Sequence, residues 1–551
     1  MKEGFRQSMS WLHTYSGLLV GWVLFMVFAA GTASYFKDEI SFWMRPELHL
    51  ADLHAPPQAE VAERAFAALQ QRGAQGQRWF VTLPTEREPG VRASWMRAAV
   101  PRGQPEAAPE PGVSRRGRFD SALLDATTGR PLQASRDTRG GEFFYRLHFD
   151  LHYMPPLWAR WIIGFCAMFM LVAIVSGVVT HRRIFADFFT FRPGKGQRSW
   201  LDAHNAVAVL ALPYHLMITY TGLVTLMLMY MPWGPQLTYK GDTSAFLAEV
   251  FPANGPRDPK PSGISVPMVP VGPLVTQATS RWGGAPVGRI TVNNPNDAAA
   301  TIVLSRQEGH DMSSTQPAMT FSGATGRLIS EVGEEPGAAT ATRSVLYGLH
   351  IGRFGDPLLR ALFFLSGLAG CVMVATGLLL WAVKERNKYS KAAARGLGAG
   401  WALRLVDGLN VGTIAGLPIA MAAFFWGNRL LPLQLHERAQ AEIHLFFAAW
   451  ALAAIAALAR PTRRMWLAQL GIAAFLFGAI PLLNALTTDT HLGATLPAGL
   501  WRVAGFDLVC LAMGAAFAYS AWWLARKDGR PMVRKQPAHA TGLLADVKGA
   551  R

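Results

Sequence analysis

Apolar residues in this chain fall in blocks long enough to cross a bilayer, and two long segments between them alternate polar and apolar positions instead. Eight blocks read as spanning helices, at about 11–36, 157–180, 205–231, 357–383, 405–427, 440–459, 466–486 and 500–525. The first starts close behind Lys2 and Arg6, as a signal peptide would. It is too long for one, is flanked by Trp11 and Trp43, and has no small-residue cleavage site before Lys37, so it reads as a retained helix.

The two segments between blocks, 37–156 and 232–356, share an order of elements. The first has a helical stripe over Ala59–Leu69 and strand-like runs at Arg78–Leu83 and Val91–Met96, then reads Ala126-Thr127-Thr128-Gly129-Arg130. The second has a helical run from Val271 to Ala278 and strands at Arg289–Val292 and Ala300–Leu304, then reads Ala324-Thr325-Gly326-Arg327. Thr-Gly-Arg after an extended run is a hairpin signal, because Gly takes positive φ at little cost. The two turns each precede a Leu-His and then a span, which predicts an internal duplication of span, extramembrane domain and span. A stretch rich in Pro, Arg and Gly at 100–117 reads as an insertion in the first copy.

Charge adds the topology. The net charge of +17 invites a nucleic-acid reading, but the basic residues crowd alternate membrane flanks. Arg182, Arg183, Arg192, Lys195 and Arg198 follow the second block; Lys384, Arg386, Lys388 and Lys391 follow the fourth. This is the positive-inside pattern: it puts both termini in the cytoplasm and both large segments outside, and it predicts a lipid membrane and no nucleic acid as partner. The domains that follow are a first span at 1–36, an outer domain at 37–156, spans two and three with a basic cytoplasmic loop at 157–231, and a second outer domain at 232–356. Span four at 357–390, an appended four-helix bundle at 391–530 and a cytoplasmic tail at 531–551 complete the chain.

The three cysteines, Cys166, Cys371 and Cys510, all lie in apolar blocks and form no CxxC. Disulfides, thiolate-bound clusters and c-type haem attachment are thereby excluded, and any redox centre needs histidine ligands. The Gly-rich run at 396–400 follows a helix rather than a strand and is not a nucleotide loop. Histidines recur with the duplication. His13 and His204 open spans one and three near the cytoplasmic face; His148 and His350 precede spans two and four near the outer face. A two-fold arrangement of the halves would bring together one pair per face, as two axial ligands of a six-coordinate haem iron. Pairing within a copy, His13 with His148, is excluded by the ~40 Å that the first span would put between them.

Other positions form a second tier. His215 follows His204 by eleven residues, which in one straight helix returns it to nearly the same face about 16 Å deeper. There it would bind or connect a centre between the faces, or hydrogen-bond a neighbouring helix. His152 lies one turn beyond His148 and competes with it as a ligand. His181 has Trp381 as its counterpart, which suits a propionate or interfacial contact. Arg146, Arg182, Arg183 and Arg353 are candidate propionate partners. His436, His444 and His491 in the appended bundle read as structural or as quinone-site residues.

The Trp11-Leu12-His13-Thr14-Tyr15-Ser16-Gly17-Leu18 opening, the paired Thr-Gly-Arg turns, the Leu-His before spans two and four, and Thr376-Gly377-Leu378-Leu379-Leu380-Trp381 resemble the PepSY-associated transmembrane-helix family. That family includes bacterial inner-membrane ferric-siderophore reductases of the ferrioxamine-reductase type and iron-regulated membrane proteins. The resemblance covers about residues 5–390. It implies PepSY-like α+β periplasmic domains, two b-type haems on His13, His204, His148 and His350, and outward electron transfer to a ferric siderophore. Minimal members end after span four, so the appended bundle, His152 and His215 depart from the pattern. The expected protein is thus an α-helical polytopic inner-membrane haem b reductase, fed by a cytoplasmic or quinol donor. The competing readings are a siderophore or metal permease and a non-catalytic PepSY binding module; the spans lack the acidic residues usual for ion coupling, and the module reading leaves the membrane histidines unexplained.

Overall fold

The structure is a computed structural model that describes residues 3–49, 56–74, 76–85, 87, 90–97, 113–116, 118–132, 136–181, 192, 197–250, 260–309, 311–393 and 401–526. Arg182, Arg183 and Lys195, most of the insertion at 100–117, the Gly-rich run at 396–400 and the tail at 531–551 lie outside these residues.

Seven stretches among the described residues are long and apolar enough to cross a membrane: Gly4–Ser34, Pro156–Thr180, Pro357–Tyr389, Trp401–Leu430, Arg438–Ala459, Arg463–Thr487 and Trp501–Arg526. The helices within and around them are α1 (Glu3–Ser34), α2 (Lys37–Trp43), α3 (Gln58–Arg72), α4 (Glu142–Asp150), α5 (Pro156–Thr180), α6 (Gln197–Leu210), α7 (Leu212–Thr225), α8 (Gly272–Arg281) and α9 (Ala338–Ile351). They continue with α10 (Pro357–Ala393), α11 (Trp401–Ile414), α12 (Gly416–Leu430), α13 (Arg438–Ala459), α14 (Arg463–Gly478), α15 (Ile480–Thr487) and α16 (Trp501–Arg526).

The third expected span needs correction. It is not one straight helix over 205–231 but the pair α6 and α7, bent by 68° at Ala211. Pro213 in the first turn of α7 has no N–H to donate to Val209, and its ring crowds that carbonyl, so a continuous helix is disfavoured. An eighth crossing exists only if the bent pair is counted as one.

The two long segments do not form two separate sheets. Their strands join in one eight-stranded sheet of order β3-β4-β2-β1-β5-β6-β7-β8. The first four are β1 (Arg78–Thr82), β2 (Val91–Met96), β3 (Val113–Arg116) and β4 (Phe119–Leu124); the second four are β5 (Val287–Asn293), β6 (Thr301–Arg306), β7 (Ala318–Ser322) and β8 (Leu328–Val332). The junction is an antiparallel ladder of β1 with β5, running from Arg78↔Asn293 to Thr82↔Arg289. Each half alone would leave that strand edge unpaired, and pairing the two edges satisfies both rows of backbone groups.

Alternation places Trp79, Val81, Ile290 and Val292 on the covered face. Helices α3 and α8 lie there, burying Val61, Ala65, Phe66 and Leu69 from one and Leu274, Val275 and Ala278 from the other in a single core. Both Thr-Gly turns form: Gly129 and Gly326 sit at φ 70° and 72°, where a side chain would be strained. The helices α11 to α16 pack against α1, α2 and α4 on the first half, and α11 also packs against α10.

Candidate functional site

Each favoured histidine leaves one helix and rests its ring against another. His13 on α1 points Nδ1 at the Ala173 carbonyl of α5, 2.8 Å away, and His204 on α6 points Nδ1 at the Met373 carbonyl of α10, at 3.0 Å. His148 on α4 reaches the Val27 carbonyl of α1 at 2.8 Å. His350 on α9 meets the Thr221 hydroxyl of α7 at 3.1 Å, beside the Ile218 carbonyl. A carbonyl only accepts, so the nitrogen facing it carries the proton and Nε2 keeps its lone pair. For His350 the same follows because the Thr221 hydroxyl already donates to Met217 O at 2.7 Å. Four rings are therefore held in the tautomer that a metal ligand requires, with the outer-shell hydrogen bond that orients one.

The rings meet in pairs across the two halves. His13 and His204 have ring centres 6.2 Å apart, and His148 and His350 6.0 Å apart. A metal–imidazole bond of about 2.0 Å on each side, with each nitrogen about 1.1 Å from its ring centre, puts two axial rings roughly 6.2 Å apart. Both pairs match that spacing. Among the described residues no group of three or more His, Cys, Asp or Glu could hold an ion. Two protein ligands per site fit an iron whose remaining donors come from a macrocycle.

Four glycines make the approach possible, and the sequence reading assigned them no role. A Cβ on Gly31 would lie 2.7 Å from the His148 ring and one on Gly222 3.0 Å from His350. On Gly177 it would lie 3.1 Å from His13, and on Gly377 3.3 Å from His204. The shared Ser-Gly and Thr-Gly ends of spans two and four were the available signal.

Beside the His148–His350 pair, at the sheet end of the helices, lies a cavity of about 300 Å³, near the lower end of the usual ligand-pocket range. Leu24, Phe28, Ile163, Met170 and Ile218 make its apolar walls, and Lys37, Arg87, Arg160 and Arg353 are cations on its lining. An apolar ring bearing carboxylates at one edge suits such a lining. Asp38 on its lining is half-buried, which opposes ionisation, but Lys37 and Arg87 outweigh this and hold its carboxyl below the usual range. Burial pushes the Tyr347 phenol up.

The second-tier residues divide. Arg353 lines the cavity and pairs with Glu308 at 2.7 Å. Arg146 is not on its lining and pairs with Glu142 and Asp150 at 3.3 and 3.2 Å, the carboxylates that Lys37 and Arg160 also meet, while Lys37, Arg87 and Arg160, unnoticed in the sequence, do line it. His181 accepts from the Asn205 side chain at 2.8 Å. His152 does not share the site of His148. Leu151, His152 and Tyr153 all adopt positive φ, a strained turn that stacks His152 on Phe447 of α13.

His215 does not share a face with His204, because the bend at Ala211 lies between them. Its ring is 1 % exposed, packs edge-on to Phe28 and Tyr214, and neither nitrogen has a hydrogen-bond partner of good geometry. Seven residues along α7 from Gly222, which the His350 ring meets, it lies about 10 Å away along that helix. The two pairs themselves are closer than the span lengths suggested. His148 rests on Gly31, eighteen residues from His13, or about 27 Å along α1.

Fold and site together define a multi-span membrane protein with a shared extramembrane sheet and two facing histidine pairs, one toward each end of its first helix. The chain belongs to the PepSY-associated TM region family, which matches residues 10–384. An uncharacterized protein of Pseudomonas aeruginosa is 25% identical over 389 residues, covering 68% of this chain and 92% of that relative.

Proposed function

We propose that this protein is a b-type di-haem reductase of the bacterial inner membrane. It would pass electrons from a cytoplasmic donor or the quinol pool to a ferric siderophore in the periplasm and release Fe(II) for uptake. The observation that carries this reading is the pair of facing imidazole sets, each ring with Nδ1 bonded and Nε2 free, at the spacing of axial ligands. Haem, when bound, would supply one-electron chemistry on both sides of the membrane, which no side chain here offers.

The chain's own residues do the rest. His13 with His204, and His148 with His350, would hold iron. The four carbonyl and hydroxyl acceptors fix the rings, and the glycines let the helices close on them. Lys37, Arg87, Arg160 and Arg353 would neutralise carboxylates at the sheet-side cavity, while its apolar walls exclude water. On this reading the halves are a tandem duplication, both termini are cytoplasmic, and the sheet is periplasmic and PepSY-like. Each Fe(III) accepts one electron, and hard-oxygen chelators hold Fe(II) far less tightly, so reduction frees the metal without destroying the chelator.

The visible spectrum of the purified full chain tests the proposal. Two equivalents of haem b per chain are expected, with His204→Ala and His148→Ala each removing one. A colourless protein from haem-replete cells overturns the reading and leaves a permease or a binding module.

A further inference from the structure

The reading above gives the appended helices α11 to α16 no task, and they lie beyond the residues that match the family. Their sheet-side ends contain a buried charged cluster: Glu442 and Asn428 are 0 % exposed and Arg438 is 1 % exposed. Charges inside a membrane bundle are expensive unless fully engaged, and here the engagement reaches outside the bundle. The Thr138 hydroxyl donates to one oxygen of Glu442, and Asn428 Nδ2 donates to the other at 2.9 Å. Arg438 pairs with Glu442 and also donates to the Asp137 carbonyl at 3.2 Å. The Thr138 oxygen in turn accepts from Gly140 N at 3.0 Å.

Two residues after that, α4 begins. Its Phe143 is seated on Phe424 and Phe446, with ring centres 4.9 and 5.0 Å apart, and its Phe144 on Phe424 at 5.4 Å. One turn further on, the same helix presents His148 to Val27. Helix α4 is thus clamped to the appended bundle at its start and delivers a candidate ligand at its end. The helix bearing His350 is anchored differently, through Ser344, whose hydroxyl bonds Ser313 and Thr315 at 2.6 and 2.8 Å.

We propose that the appended bundle is the positioning device of the sheet-side histidine site: Glu442 and Arg438, with Asn428 bonded to Glu442, grip residues 137 and 138 and so set the register in which α4 aims His148 at His350. This rests on the haem reading above. None of the three is a ligand; they act through α4.

The test uses the full chain with Thr138→Val, which keeps volume and removes the hydroxyl, and Thr138→Ser, which restores it. Glu442→Gln is the second variant. Haem content and redox titration are resolved into two components, with His148→Ala and His204→Ala as references. Thr138→Val and Glu442→Gln are expected to at least halve the occupancy of the sheet-side component or displace its midpoint. The far-side component should keep wild-type values, and Thr138→Ser should return both to them. If Glu442→Gln does not fold, Thr138→Val carries the test alone, because it leaves the Arg438–Glu442 pair intact. Wild-type behaviour of both components in Thr138→Val, or equal loss of both in a folded protein, overturns the positioning role alone. A wild-type protein without haem fails the functional reading, and this inference falls with it.

Discussion

The four histidines differ from an ordinary interfacial histidine in what their second nitrogen does. Nδ1 of each is committed to a neighbouring helix, so Nε2 is the group left to bind. The glycines beneath the rings make a sharp prediction at this scale. Gly31→Val and Gly222→Val place atoms where the His148 and His350 rings lie, so under the haem proposal each should abolish the sheet-side haem and spare the far-side one, as read by haem stoichiometry and difference spectra. His215→Leu, which installs the residue type found at the corresponding Leu24, should keep both haems. It also removes buried ring nitrogens that no hydrogen bond of good geometry satisfies, so the thermal midpoint should hold or rise; loss of a haem would make His215 a ligand.

Asp38 gives a pH dependence. Its folded pKa lies below the unfolded value near 3.9, because Lys37 and Arg87 outweigh burial. Its stabilisation is therefore fully present above the ordinary carboxylate range and is lost as pH falls through the depressed value. Wild type should lose thermal midpoint through that acid window, and Asp38→Asn should be flatter there and less stable at neutral pH.

At the scale of elements, the bend between α6 and α7 decides what α6 can do. It turns the His204 segment by 68° relative to α7 while leaving His350 seated on Thr221 and Gly222. Pro213→Ala restores an N–H that can donate to Val209, and a straighter helix would carry His204 off His13. The far-side component is expected to weaken while the sheet-side one persists, measured by the same titration. The signal for the bend was a proline in an apolar block, which the reading of 205–231 as one straight helix passed over; its angle had no local signal, because it depends on what α5 and α10 allow. Arg146 was legible as a cation two residues from His148; that it lies off the cavity, paired with Glu142 and Asp150 along its own helix, was not.

At the scale of the molecule, the β1–β5 ladder joins the two halves through one core. Trp79 is fully buried at that junction. Trp79→Ala should cost about 3–5 kcal/mol, and both segments should lose protection together, as read by hydrogen exchange of strands β2 and β6. Independent loss of the first segment alone would mean two separable domains.

Seven of the eight hydrophobic blocks, the two Thr-Gly turns and the partners in each histidine pair were determined by the sequence itself, because each rests on local periodicity or on recurring motifs. Span lengths follow from apolar runs, turns from Gly at positive φ, and equivalence of His13 with His204 and His148 with His350 from the order of motifs. Which strand edges meet, which cations reach the cavity, and that the appended helices clamp α4 were decided only by the tertiary structure. Those facts depend on contacts between residues hundreds of positions apart, such as Thr138 with Glu442 and Val81 with Ile290. No local pattern encodes such a contact; it exists only once the intervening chain has packed.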